Sequence, residues 1–184
     1  MPNVYLDPSV EENNEYIGGG NEEYYMNLIV DAMIPFLNTA GIQFTRNNPS
    51  DTLNDIIAQS NAGNYDLHLS LRSTPAPAVQ QGPIIYYNPF SPNGQVAAYD
   101  IARSLWSIYP IPNLVDMVPN STLSQITLTK APTVLIDLVN RANAEDTQWL
   151  KDNIYRIGRM LAFSLTNYFN IPIDVKREPL PITM

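Results

Sequence analysis

The stretch that decides the fold is Tyr65-Asp66-Leu67-His68-Leu69-Ser70-Leu71-Arg72-Ser73. Its alternation of apolar and polar residues has the period of two that marks a β-strand, over Asp66–Leu71. A helical segment precedes it: Asp51 to Asn61 places Leu53, Ile56 and Ile57 on one face, with Asp51 as a cap. Working outward, the same succession recurs. Asn3–Leu6 is a short β-type run stopped by Asp7-Pro8. From Glu22 the apolar residues Met26, Ile29, Val30, Met33, Ile34 and Leu37 repeat at helical spacing. Asn21 caps that helix, Pro35 is expected to kink it and Gly41 ends it. Ile42–Thr45 and Ile84–Tyr87 read as strands, Gln95–Tyr109 as a helix, Thr133–Ile136 as a strand and Asp146–Phe169 as a long helix.

Strands separated by helices of ten or more residues predict one α/β domain, with a central, mostly parallel sheet and helices on both faces. In such sheets the working site lies at the C-terminal strand ends. Here those ends fall after Leu6, after Leu71 and after Ile136, with the start of the Glu22 helix beside them.

The length, 184 residues, suits a single domain. Charged residues are only 15%, and with 20 Asn and 16 Pro the loops are polar but uncharged. The net charge of −8 is uneven: residues 1–66 carry ten acids and one base, residues 67–184 eight acids and nine bases. An acidic N-terminal part repels phosphate backbones, which argues against nucleic acid as a partner. The apolar run Val134 to Leu138 is interrupted by Asp137, so no membrane span is expected. Zero cysteines exclude thiol nucleophiles, disulfides and Cys-based zinc sites. A single histidine, His68, excludes any chemistry that needs two.

Quoted in order, several segments resemble the zinc-dependent N-acetylmuramoyl-L-alanine amidases of bacterial cell-wall lysis, the amidase_3 type. These are Leu6-Asp7-Pro8-Ser9-Val10-Glu11; Glu23 followed by Asn27-Leu28; Gly41-Ile42-Gln43-Phe44-Thr45-Arg46; Ser60-Asn61; Tyr65 to Ser73; and Pro132-Thr133-Val134-Leu135-Ile136-Asp137 with Asn143, Asp146 and Leu150. The series spans roughly residues 3 to 170. A branch of the family in spore-forming and gut Firmicutes is closer still, through Ser9 to Asn14 and the Gly19 to Leu28 segment. The resemblance implies a phosphorylase/hydrolase-like fold with a sheet of about six strands, an amidase-like domain over residues 1–170, an extended C-terminal tail over 171–184, and a bacterial ancestor that cut the lactyl-amide bond of peptidoglycan.

The family's zinc is held by His, Glu and His, with a second Glu as base. On this sequence those positions fall on Val10, Glu23, Arg72 and Asp137, so Glu23 is the one unchanged position and Asp137 is a shortened catalytic acid. Valine cannot bind a metal and a guanidinium repels one. The expected site therefore has Asp137 in the catalytic position, Glu23 and Glu11 as metal-type acids, and Arg72, Ser9, Val10 and Ser73 around the pocket. Arg72 is expected to pair with Glu23 and Asp137 in place of a metal charge, so that no cofactor is needed.

His68 lies roughly 13 Å upstream of position 72 along the strand and reads as a hydrogen-bonded core residue rather than a ligand. Ser9, Ser70 and Ser73 lack a placed base and a G-x-S-x-G turn. The paired tyrosines Tyr24, Tyr25, Tyr86 and Tyr87 have the chemistry to stack on sugar rings or contact peptide, but half-buried strand and helix positions favour core and rim. The leading expectation is an amidase-fold protein that binds a peptidoglycan fragment or a protein partner without hydrolysing it. A second is an active amidase with Glu11, Glu23 and Asp137 around Mg²⁺, Ca²⁺ or Mn²⁺. A third is a structural or regulatory role in wall or spore assembly. The N-terminal residues lack a positive stretch followed by an apolar one, so a cytoplasmic or mother-cell location is expected, with non-classical export open.

Overall fold

The structure, a computed structural model, describes residues 1–172; the expectation of an extended tail falls almost wholly outside them. In chain order the elements are β1 (Asn3–Pro8), α1 (Glu22–Ala40), β2 (Gln43–Arg46), α2 (Leu53–Ala62), β3 (Leu67–Thr74), β4 (Ile84–Tyr87), α3 (Pro92–Trp106), a 3₁₀ turn at Pro112–Leu114, β5 (Asp116–Pro119), α4 (Ser124–Thr127), β6 (Thr133–Asn140) and α5 (Ala144–Tyr168). The six strands form one sheet in the order β2-β1-β3-β6-β4-β5. β2, β1, β3 and β6 run parallel; β4 is antiparallel to β6 and pairs in parallel with β5.

Caps fix the helix ends. The Asn21 side chain accepts the Tyr24 N–H, and Gly41 at φ 70° turns its N–H back onto Leu37 and Asn38. In α2, Thr52 and Asp55 form a reciprocal capping box. Pro35, where a kink is expected, does not interrupt α1, which continues through it. The helical break lies instead at Asn153 in α5 (φ −126°, ψ 15°), where the side-chain amide donates to the Trp149 carbonyl.

The two sheet faces differ in chemistry. Val4, Leu6, Leu67, Leu69, Leu71, Val134, Ile136 and Leu138 meet the apolar faces of α1, α3 and α5 and form the core. The contact is close where α5 crosses α1, since a Cβ on Gly158 would lie 2.6 Å from Ala32 Cβ. The opposite face carries Tyr5, Asp7, His68 and Ser70, all buried, against which α2 brings Gln59 and Ser60. Helices thus cover both faces, one of them through polar contacts.

Two elements escaped sequence analysis. β5 is a four-residue strand, Asp-Met-Val-Pro, that starts and ends on residues with low strand preference. α4 is a single turn.

Candidate functional site

The parallel register sets the site. Asp7 on β1 lies beside Ser70 on β3, and Arg72 beside Asp137 on β6. Residues 68, 70 and 72 share the polar face, so Arg72 reaches across β1 from above. Its Nη2 sits 2.7 Å and 2.9 Å from the two Asp7 carboxylate oxygens, and its Nη1 donates to the carbonyls of Asp7 and Leu71 at 2.7 Å and 2.8 Å. Asp7 is wholly buried. Burial acts to raise its pKa, but the Arg72 guanidinium and the His68 contact outweigh it and hold the carboxyl below the ordinary range. Such a carboxylate can only accept, so His68 Nε2, 3.2 Å away, carries a proton. His68 Nδ1 lies 2.9 Å from Ser60 Oγ. His68 is therefore a hydrogen-bonded core residue, as its depth in the strand suggested.

Arg72 thus neutralises a carboxylate, but not the expected ones. Its partner is Asp7 rather than Glu23 or Asp137, because the β1 carboxylate stands on the same sheet face and is already desolvated.

The acids beside it sort differently from the sequence expectation. Neighbouring helix residues point about 100° apart, so only one of Glu22 and Glu23 can enter the site. Glu22 does: it is 1% exposed, and its Oε2 accepts from Asn14 Nδ2 at 3.0 Å and Ser73 Oγ at 2.7 Å, with Arg141 Nη1 at 3.6 Å. Glu23 stays on α1, where its Oε1 accepts from Asn27 Nδ2 at 3.0 Å. Asp137 stands between the two arginines and Glu22. Burial and the Glu22 charge push its pKa up to about 6, against the pull of Arg72 and Arg141.

These groups line an open cleft of about 480 Å³ at the C-terminal ends of β3 and β6. Of the expected residues, Glu11, Arg72, Ser73 and Asp137 meet there. Glu23, Ser9 and Val10 are not in its lining. Ser9 is fully buried and structural: its Oγ accepts the Glu11 N–H and its carbonyl accepts from Asn27. Sequence analysis missed Glu22, Arg141, Asn14, Asn120 and Gln125, and of the tyrosines it named Tyr86 lines the cleft. Arg141 was findable, since it follows directly on β6 at the C-terminal edge where sites form. Asn14 was not. It depends on the turn at Gly18, Gly19 and Gly20, all at positive φ, which folds Glu15 back onto Asn21.

A catalytic zinc needs three protein ligands. Among the described residues no group of three or more His, Asp, Glu or Cys is arranged to hold a metal ion. The expected carboxylate set of Glu11, Glu23 and Asp137 is not assembled, because Glu23 is turned to Asn27. The donor chemistry does not fit the family's zinc: the β3 position holds a guanidinium bonded to Asp7.

Comparison with known proteins identifies the class first. The architecture is that of solved N-acetylmuramoyl-L-alanine amidases. It superimposes on Cwp6 from Clostridium difficile with a TM-score of 0.81 at 17% identity, covering 91% of this chain and 29% of that one. AmiC2 of Nostoc punctiforme, an N-acetylmuramoyl-L-alanine amidase, gives 0.80 at 16%, covering 92% and 97%. The CwlD amidase of Clostridioides difficile, solved in complex with the GerS lipoprotein, gives 0.76 at 12%, covering 92% and 99%. No curated protein matches the sequence. Residues 4–167 match the N-acetylmuramoyl-L-alanine amidase family, Amidase_3, and the chain belongs to it. No helix among the described residues is long and apolar enough to cross a membrane.

Proposed function

We propose that this chain is a non-hydrolytic member of its family, which holds a peptidoglycan fragment in the cleft above β3 and β6. The observation that carries the proposal is the Arg72–Asp7 pair. It puts a fixed guanidinium where the resemblance places the second zinc-binding histidine. A guanidinium does not ionise bound water near neutral pH as a metal does. It also excludes a divalent ion from the same position by charge. Asp137, on a shorter side chain than the family's glutamate, would have to act as base on water that nothing polarises. What the cleft retains is recognition: a donor in Arg141, carboxylates in Glu22 and Asp137, amides in Asn120 and Gln125, and a tyrosine wall in Tyr86. An open cleft of ligand size supports binding over a purely scaffolding role.

The test is co-sedimentation with purified, protein-free peptidoglycan, with release of new amino groups followed in the same tubes. Saturable binding without release is expected. Hydrolysis that survives repurification and disappears in Asp137→Ala would overturn the proposal. A protein partner is a second reading, supported by the lipoprotein seen on the structurally similar CwlD.

A further inference from the structure

We propose that the cleft seats a protonated aliphatic primary amine between Asp137 and Glu22, with the Tyr16 hydroxyl beneath it. This rests on the part of the preceding reading that makes the cleft a ligand seat without a metal, and it gives the ligand a chemical class.

The acceptors are in place and unused. Among the described residues nothing donates a hydrogen bond to the Asp137 carboxylate. All three polar contacts of Glu22 fall on Oε2, which leaves Oε1 free. Tyr16 is 3% exposed, and its hydroxyl has no hydrogen-bond partner among the described residues. That hydroxyl lies behind the cleft lining, next to Ser73 and within the charge field of Glu22, Arg141 and Asp137. Ser73 gives its proton to Glu22, and its oxygen can take the Tyr16 proton, which leaves the Tyr16 oxygen as an acceptor. Buried polar atoms are normally satisfied, and an unsatisfied hydroxyl directly behind a cleft lining marks where a ligand group can complete the set. A primary ammonium brings three N–H donors and no acceptor, which matches Asp137, Glu22 Oε1 and the Tyr16 oxygen.

The charge count points the same way. Arg72 is matched by Asp7 at 2.7 Å and Arg141 by Glu22 at 3.6 Å. Asp137 is left uncompensated. One positive charge balances it, with Glu11 left at the exposed rim, whereas a dication finds no third ligand among the described residues. Tyr86 lines the cleft beside Asp137 and gives the cation an aromatic neighbour. The amine can come from a diamino-acid side chain of a stem peptide or from a free amino terminus; the site reads the ammonium common to both.

The test uses the full chain and two probes followed by NMR titration near neutral pH: Nα-acetyl-L-lysine amide, with one ammonium, and its Nε-acetyl counterpart, with none. The amine is expected to bind at least about tenfold more tightly, as one lost charged hydrogen bond implies. Asp137→Asn should erase that preference, and Tyr16→Phe should reduce it. Circular dichroism confirms that both variants are folded. Equal binding of the two probes, saturable binding of neither, or stoichiometric displacement of the amine by Mg²⁺, Ca²⁺ or Mn²⁺ would overturn the proposal. Peptidoglycan co-sedimentation run alongside separates the two claims. Sedimentation without amine preference overturns the ammonium seat and leaves the peptidoglycan reading standing; amine preference without sedimentation supports the seat and removes peptidoglycan as its source.

Discussion

Asp137→Asn should make the protein more stable, and the gain should depend on pH. Folding pushes the Asp137 carboxyl from its ordinary 3.8 up to about 6, through burial and the Glu22 charge. A group whose folded pKa is raised favours the folded state below its unfolded pKa and loses that advantage as pH rises through the folded one. Above about pH 6 the folded chain carries the full cost of an ionised, poorly solvated carboxylate. Two pKa steps at about 1.36 kcal/mol each set a ceiling of about 3 kcal/mol. The side chain keeps contact with solvent in the cleft, so about 1.5 kcal/mol is the working figure. Asparagine keeps the shape and removes the charge. At about pH 8 its urea midpoint should rise by roughly 0.7 M for an m-value of about 2 kcal/mol per molar. At about pH 4, where the native parent's Asp137 is already largely protonated, the gain should shrink to a few tenths of that. A variant less stable than the parent at pH 8, or a gain that does not change with pH, would refute the assignment of Asp137 as the uncompensated charge.

Arg72→Met should cost about 3–5 kcal/mol in urea unfolding, because it leaves the buried Asp7 carboxylate facing only His68. The double variant Asp7→Asn with Arg72→Met should recover most of that loss. Asp7 acts on pH dependence in the opposite sense to Asp137: its lowered pKa stabilises the fold above the ordinary carboxylate range, and that stabilisation is lost as pH falls through the folded value, visible as acid unfolding that the double variant lacks. Gly158→Ala should lower stability by about 1–3 kcal/mol despite alanine's better helix propensity, since the new methyl would stand 2.6 Å from Ala32 Cβ and 2.7 Å from the Ile29 carbonyl; a thermal melt checks it. Asp146→Ala should cost about 3 kcal/mol or more in the same assay, because its carboxylate accepts from Tyr109, Gly82 and Asn140 and ties β6 and the β3–β4 loop to the start of α5.

Period and punctuation made the sheet-and-helix succession legible. Five of the six strands and the helices α1, α2, α3 and α5 lie where Leu67-Leu69-Leu71, Met26 to Leu37 and Trp149 to Leu165 placed them. β5 was hidden because four residues bounded by Asp and Pro carry too little pattern to stand out. At the site, strand alternation put Arg72 on the right face but could not say which acid it would meet. The nearest carboxylate in space, Asp7, is 65 residues away and belongs to a different strand. The choice between Glu22 and Glu23 was settled by helix phase, which depends on where the Gly18-Gly19-Gly20 turn lets α1 begin. Spacing to Asn27 alone pointed to the other residue.

The guanidinium at the mouth of β3 has a consequence for how the molecule is made. A positive charge that arrives as an ion has to be acquired after synthesis, can be stripped by a chelator, and rises and falls with supply. One carried on a side chain is delivered with the chain itself, in fixed stoichiometry. Asp7, buried in the middle of the sheet, therefore finds its counter-charge wherever and whenever the chain folds.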